Sequence, residues 1–333
     1  MKLATLPNQT PDGQLVVVSS DGRLCASAQA IAPSLQAALE RWQEAEPALR
    51  ALAAALDAGR CPQAQAWDAR QALAPLPRAW QWLDGSAFQS HGDLMDVVFK
   101  VEKKNDPSRP LMYQGLSNQF IAPSADVPLP SADDAIDFEG EFGVITDAVP
   151  MGTSPADARQ HIRLVVLIND WSLRRLAPVE MKTGFGWIHA KPACSMAPIA
   201  VTPDELGVAW RDARLQMRLE VDWNGQRFGA AHGGAMAFGF DELVAHAAYS
   251  RDLVAGTVVG SGTVSNPDYR TVGSSCIAER RAIEMVDLVE PKTAYMAFGD
   301  RVRMQARHED GRDGPFGAID QQVVQRHIAG SGA

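Results

Sequence analysis

The chain has 333 residues, 46% hydrophobic and 21% charged, which is enough apolar material for a substantial core and too much for extended disorder. Its formal net charge of −9 argues against a nucleic-acid partner, because phosphate contacts need a concentrated basic surface. No apolar run approaches the roughly 20 residues that span a bilayer. The opening Met1 to Asn8 also lacks the apolar stretch of a signal peptide, so a cytoplasmic protein without a membrane partner is expected. Cys25, Cys61, Cys194 and Cys276 are widely spaced and form no C-x-x-C pair, which points to neither a disulfide scaffold nor a zinc site.

Leu15 to Val18 and Leu24 to Ala26, joined across Ser19-Ser20-Asp21-Gly22, read as a β-hairpin. A helical region follows, with Ser34 as N-cap and Leu35, Leu39 and Trp42 at near-helical spacing. Pro47 is expected to divide it into two helices, the second carrying Leu49, Leu52 and Leu56 and ending at Gly59. Beyond Pro75 the texture changes to short apolar runs punctuated by Gly and Pro, the pattern of a β-rich domain. The boundary falls near residues 60–76, separating an N-terminal accessory domain (1–75) from a larger domain (76–333).

Asp137-Phe138-Glu139-Gly140-Glu141-Phe142 alternates acids with apolar residues or glycine. In a strand this puts Asp137, Glu139 and Glu141 on one face and Ile136, Phe138 and Phe142 on the other. Such a row suits a half-exposed strand with a solvated acidic face, or a cluster neutralised by a cation. Leu164-Val165-Val166-Leu167-Ile168 reads as a strand buried on both faces, ending in Asn169-Asp170-Trp171-Ser172. Asp170 there is either a helix cap or an acid that is paired or bound to a metal. Val258 to Val264 is a strand that turns glycine-rich, at a bulge or where a backbone approaches another group closely.

Six segments together carry a resemblance: Asp84 to His91, Asp137 to Glu141, Asn169 to Arg174, Lys191 to Ser195, Gly260 to Thr263 and Gly273 to Glu279. Each motif is short. Occurring in this order over most of the chain after residue 76, they resemble the fumarylacetoacetate hydrolase family. The resemblance implies a β-rich α+β fold, a mixed β-sandwich roll of the fumarylacetoacetase type with a small N-terminal α+β domain. It implies a divalent cation held by Asp84, Glu139, Glu141 and Asp170. An all-oxygen set agrees with Mg²⁺ or Ca²⁺, with Mn²⁺ as a further candidate. Lys191 and Arg174 match positions close to the site that offset the negative charge, and Ser195 matches a hydroxyl near the metal.

His91 matches the family's general base, and the Asp-x6-His context selects it over His161, His189, His232, His246, His308 and His327. Glu279 matches the acid that orients this imidazole; on the residues alone it also suits a surface salt bridge with Arg280 or Arg281. Lys100, Tyr113 and Thr263 match substrate contacts. The implied activity is hydrolysis of a carbon–carbon bond in a β-diketo acid, with fumarylacetoacetate, from aromatic amino-acid breakdown, as first substrate. His91 activates water, and Arg174 and Lys191 stabilise the oxyanion. Ala177, Ser86 and Met181 stand where the family has a glutamine and two tyrosines, with Lys182 or His189 as substitute donors. Acylpyruvate hydrolase, oxaloacetate decarboxylase and hydratase activities therefore remain open, as does a cation that only stabilises the fold. The resemblance also implies a homodimer.

Overall fold

The computed structural model describes residues 1–99, 106 and 108–326. Its centre is an eleven-stranded mixed sheet. Running across it are Gln65–Ala66, Leu24–Ser27, Gln14–Val18, Lys2–Leu6, Ile199–Val201, Ile162–Asn169, Gly140–Thr146, Thr257–Gly260, Gln81–Ser86 and Leu111–Gln114. Ser195–Met196 pairs alongside Ile162–Asn169. The N-terminal strands extend this sheet, because Lys2–Leu6 pairs antiparallel with Ile199–Val201.

The period of two in the strands explains how both faces are covered. Leu164, Val166 and Ile168 join Leu35, Leu39, Trp42 and Leu49 in one buried cluster, so the N-terminal helices pack on that face. Val165 and Leu167 point the other way, into a cluster with Leu219, Val221, Met304, Phe316 and Ile319. Those residues come from a second, five-stranded sheet built from Gln226–His232, Arg218–Trp223, Arg301–Arg307, Asp313–Gln325 and Val127–Leu129. The result is β-rich α+β, with two sheets face to face, the N-terminal strands continuing the larger one and the N-terminal helices covering its outer face. Among the described residues no helix is long and apolar enough to cross a membrane.

Two local expectations need correction. The helical break falls at Arg41, not Pro47: Leu35–Glu40 is capped by Ser34, whose hydroxyl accepts from Ala37 N–H, and Trp42–Asp57 runs through Pro47. Pro47 sits in the second turn and removes one backbone bond. Burial of Trp42, Ala45, Leu49 and Leu56 on the inner face offsets that cost, about 3 kcal/mol for a proline within a helix. Gly59, at φ +67°, ends the helix as expected; its N–H reaches Leu56 and that of Arg60 reaches Ala55. The acidic run, in turn, is not a half-exposed strand. Ile136–Asp137 and Gly140–Thr146 are separate strands, and Asp137, Glu139 and Glu141 are all buried.

Candidate metal centre

Strand register assembles the acids. Gly140–Thr146 and Ile162–Asn169 run antiparallel with Ile168 opposite Glu141 and Asn169 opposite Gly140, so the start of one strand lies beside the end of the other. Asp170 N–H then donates to the Glu139 carbonyl at 2.9 Å. Thr257–Gly260 bridges Gly140–Thr146 to Gln81–Ser86, with Gly260 opposite both Gly143 and Asp84. One ligand oxygen from each of Asp84, Glu139, Glu141 and Asp170 lies within 4.8 Å of all the others, and all four residues are buried. The glycine-rich continuation is a close approach: a Cβ at Gly260 would overlap Asp84 and Trp82, while Gly262, at φ +75°, donates its N–H to Asp84 Oδ1 at 3.2 Å.

The four acids differ in their support. Lys191 Nζ donates to Asp170 Oδ2 at 2.5 Å, Ser172 Oγ at 2.8 Å and Glu139 Oε2 at 3.0 Å, which uses all three of its protons. Arg174 Nη2 makes an ion pair with Glu139 Oε1 at 2.5 Å, off hydrogen-bonding angle, while its Nε donates to Asp137 Oδ2 at 2.8 Å. Tyr113 OH donates to Asp170 Oδ2 at 2.6 Å, and Cys194 Sγ lies 3.0 Å from Asp170 Oδ1. Glu141, by contrast, has two buried carboxylate oxygens with no hydrogen-bond partner among the described residues.

The electrostatics follow this division in part: burial and the Glu139 charge raise the Asp170 carboxyl too, against the opposing pull of Lys191. Burial, then Asp84 and Asp170, drive the Glu141 carboxyl well above the ordinary range. Burial and the Asp170 charge do the same to Asp84. These two acids are close enough to share a proton when no cation is present. Burial would raise Glu139 too, but Lys191 and Arg174 outweigh it and hold that carboxyl below its usual value. Burial favours a neutral amine at Lys191, yet Asp170 and Glu139 keep it protonated.

The residues fit a hard divalent cation on their own chemistry. Four convergent carboxylates supply only oxygen, and unpartnered buried oxygens at Glu141 are costly unless something cationic satisfies them.

His91 lies on a helix, Gln89–Phe99, and Glu279 on another, Ile277–Leu288; Leu94, Ala282 and Ile283 pack them together. The His91 Nδ1 to Glu279 Oε2 distance is 2.7 Å, and Glu279 is fully buried, so it is not the surface partner of Arg280 or Arg281. With the carboxylate as acceptor, Nδ1 carries the proton and Nε2 is the free base.

Of the other expected residues, Thr263 is buried with an unpartnered hydroxyl. Tyr113 touches a candidate metal ligand directly and packs edge-on against Trp187 at 6.0 Å. Ser195 Oγ accepts the Trp171 indole N–H at 3.0 Å, bracing the residue after Asp170. Lys100 and His327 fall outside the described residues. Lys182 and His189 are exposed, as are Ser86 and Met181. Sequence reasoning missed Cys194 and Ser172 as donors in the site. Both stood inside segments that carried the resemblance, Ser172 in N-D-W-S and Cys194 immediately before the strand Ser195–Met196, and each had a usable signal.

Models of two protein domains match the chain: fumarylacetoacetate hydrolase C-terminal over residues 81–324, and fumarylacetoacetase N-terminal domain 2 over residues 1–78. A 2,4-didehydro-3-deoxy-L-rhamnonate hydrolase from Sphingomonas sp. (strain SKA58) is 28% identical over 160 residues, 47% of this chain and 53% of that protein. The match thus spans about half the length of the curated relative. Among solved structures, maleylpyruvate hydrolase from Sphingobium sp. SYK-6, in complex with manganese (II) ion and pyruvate, superposes with a TM-score of 0.66 at 16% identity. The superposition covers 98% of this chain and 100% of that one. The 5-carboxymethyl-2-hydroxymuconate delta-isomerase from Mycobacterium smegmatis gives 0.60 at 17% identity, with the same coverage. At these identities the structures show a shared fold.

Proposed function

The chain belongs to the fumarylacetoacetate hydrolase family, and from that premise we propose that it hydrolyses a carbon–carbon bond in a β-diketo acid with a divalent cation at Asp84, Glu139, Glu141 and Asp170. The supporting observation is the Glu141 carboxylate, buried inside the four-acid cluster without a hydrogen-bond partner among the described residues. A divalent cation held by these four acids would supply Lewis acidity to the substrate.

Glu279 holds His91 so that Nε2 takes a proton from water, and the hydroxide adds to a carbonyl carbon. When the adduct collapses, the carbon–carbon bond breaks, its electron pair leaves with the departing fragment, and the His91 imidazolium returns a proton to it. Lys191 and Arg174 hold the acids and balance their charge. Lys191 has no proton free for an oxyanion unless it releases Glu139, Asp170 or Ser172. Thr263 supports substrate contact through its unpartnered hydroxyl.

Fumarylacetoacetate is the first substrate to test, beside fumarylpyruvate and acetylpyruvate; the diketo sugar acid and maleylpyruvate in the relatives' names support the wider diketo-acid class. Oxaloacetate decarboxylation is the second reading, disfavoured by the His91–Glu279 pair, since that reaction needs no activated water. Specificity constants with Mg²⁺ or Mn²⁺, before and after chelation, test the proposal. Metal-dependent turnover of a diketo acid is expected. Turnover that survives chelation, or that is confined to oxaloacetate, would remove it.

A further inference from the structure

Asp137 is fully buried, and no role proposed above uses it. Its carboxylate meets donors from two distant parts of the chain. Oδ1 accepts Ile277 N–H at 2.7 Å; Oδ2 accepts Ala278 N–H at 2.9 Å and Arg174 Nε at 2.8 Å. Ile277 and Ala278 open the helix that carries Glu279, and Cys276 Sγ takes the N–H of Glu279 itself at 3.3 Å. First-turn N–H groups have no intrahelical acceptor, so a carboxylate 140 positions away from Ile277 in sequence fixes where this helix starts.

We propose that Asp137 is a positioning residue that couples the two halves of the site. Through the helix's first turn it sets Glu279, and with it the His91 imidazole. Through Arg174, which pairs with Glu139, it ties that turn to the acid cluster. The histidine's own helix is anchored separately, by Ser90 Oγ to Ser265 Oγ at 2.8 Å, so Asp137 governs the glutamate side of the pair. All three partners are donors. An asparagine of the same shape must turn its NH2 group toward at least one of them.

The inference rests on reading His91 and Glu279 as the water-activating pair, so its test includes a readout that needs no turnover. In Mg²⁺-supplemented protein, the Nδ1 proton of His91 is followed by NMR and assigned by its loss in His91→Ala. His161, whose Nδ1 lies 2.7 Å from Asp147 Oδ1, provides an internal reference away from Asp137. Asp137→Asn should displace or broaden the His91 resonance, leave that of His161 in place, and keep Mn²⁺ affinity. It should lower kcat on the best diketo acid by about 10–100-fold, the usual cost of losing a supporting partner. An unchanged His91 resonance in folded Asp137→Asn overturns the proposal. Should that variant not fold, Ile277→Pro compared with Ile277→Ala deletes one clamped N–H at a position where proline suits the helix. A larger displacement in the proline variant supports the proposal, and equal resonances overturn it. If the wild type turns over no diketo acid, the functional reading fails while the resonance still decides the role of Asp137.

Discussion

Glu139 and Asp170 sit among donors, whereas Asp84 and Glu141 sit almost without them. The first pair shares Lys191, Arg174, Ser172, Tyr113 and Cys194. The second pair receives one backbone N–H, from Gly262 to Asp84. All four acids are equally out of water, so the difference lies in what the fold itself supplies. Lys191 and Arg174 hold Glu139 ionised, and Lys191 and Cys194 offset part of the burial and the Glu139 charge that raise Asp170. The other side carries burial and mutual repulsion that only a proton or a cation relieves. A cluster that never took up a cation would have no reason to leave one half unmatched.

The largest expected effect separates ion binding from water activation. His91→Ala should bind Mn²⁺ like the wild type and lose about 10²–10⁴ in kcat on a diketo-acid substrate. Near-normal turnover would remove the histidine from the mechanism. The two sides of the cluster are contrasted by a pair of variants in urea unfolding of the metal-free protein. Glu139→Gln strands Lys191 and Arg174 in the interior and should cost about 3–5 kcal/mol, whereas Glu141→Gln should be neutral or stabilising. Equal losses in the two variants would erase the distinction.

A smaller effect belongs to Tyr113, whose hydroxyl meets Asp170. Tyr113→Phe should weaken metal affinity or activity by about 10–100-fold, read by Mn²⁺ titration and by kcat. A change confined to KM would return Tyr113 to a substrate contact alone.

The smallest effect is a slope. Raised carboxyls at Asp84 and Glu141 mean that the metal-free native state binds more protons than the unfolded chain above the ordinary carboxylate range. Stability should therefore fall as pH rises from that range toward their raised values. Added Mg²⁺ should restore the melting temperature most at the high-pH end. A flat profile that Mg²⁺ does not move would contradict the assignment of these two acids.

Much of this arrangement was legible in the sequence because strand periodicity is local. Glu139 and Glu141 were expected on one side and do converge, although Glu139 lies between two strands, and the apolar run before Asp170 marked a strand buried on both sides. Gly260 and Gly262 marked a bulge or a close approach, and the structure makes Asp84 the group approached. What escaped depends on partners far along the chain. Asp137 belongs to the same alternation, yet its partners are Arg174 and a helix start at Ile277, and no pattern around residue 137 announces either. Pro47 misled for a related reason: the local rule against proline in a helix was outweighed by tertiary burial of Trp42 and Leu49. The N-terminal segment read as an accessory domain, but pairing of Lys2–Leu6 with Ile199–Val201 cannot be seen from either strand alone.

The central claim is tested most directly by titrating the metal-free protein with Mn²⁺ near neutral pH, following free ion by electron paramagnetic resonance and proton uptake or release by calorimetry in two buffers. The wild type should bind one ion per chain and release protons, because Asp84 and Glu141 must ionise to accept it, and Glu141→Gln should bind far more weakly. A wild type that binds no ion, or a Glu141→Gln variant that binds with wild-type affinity and proton release, would contradict the account.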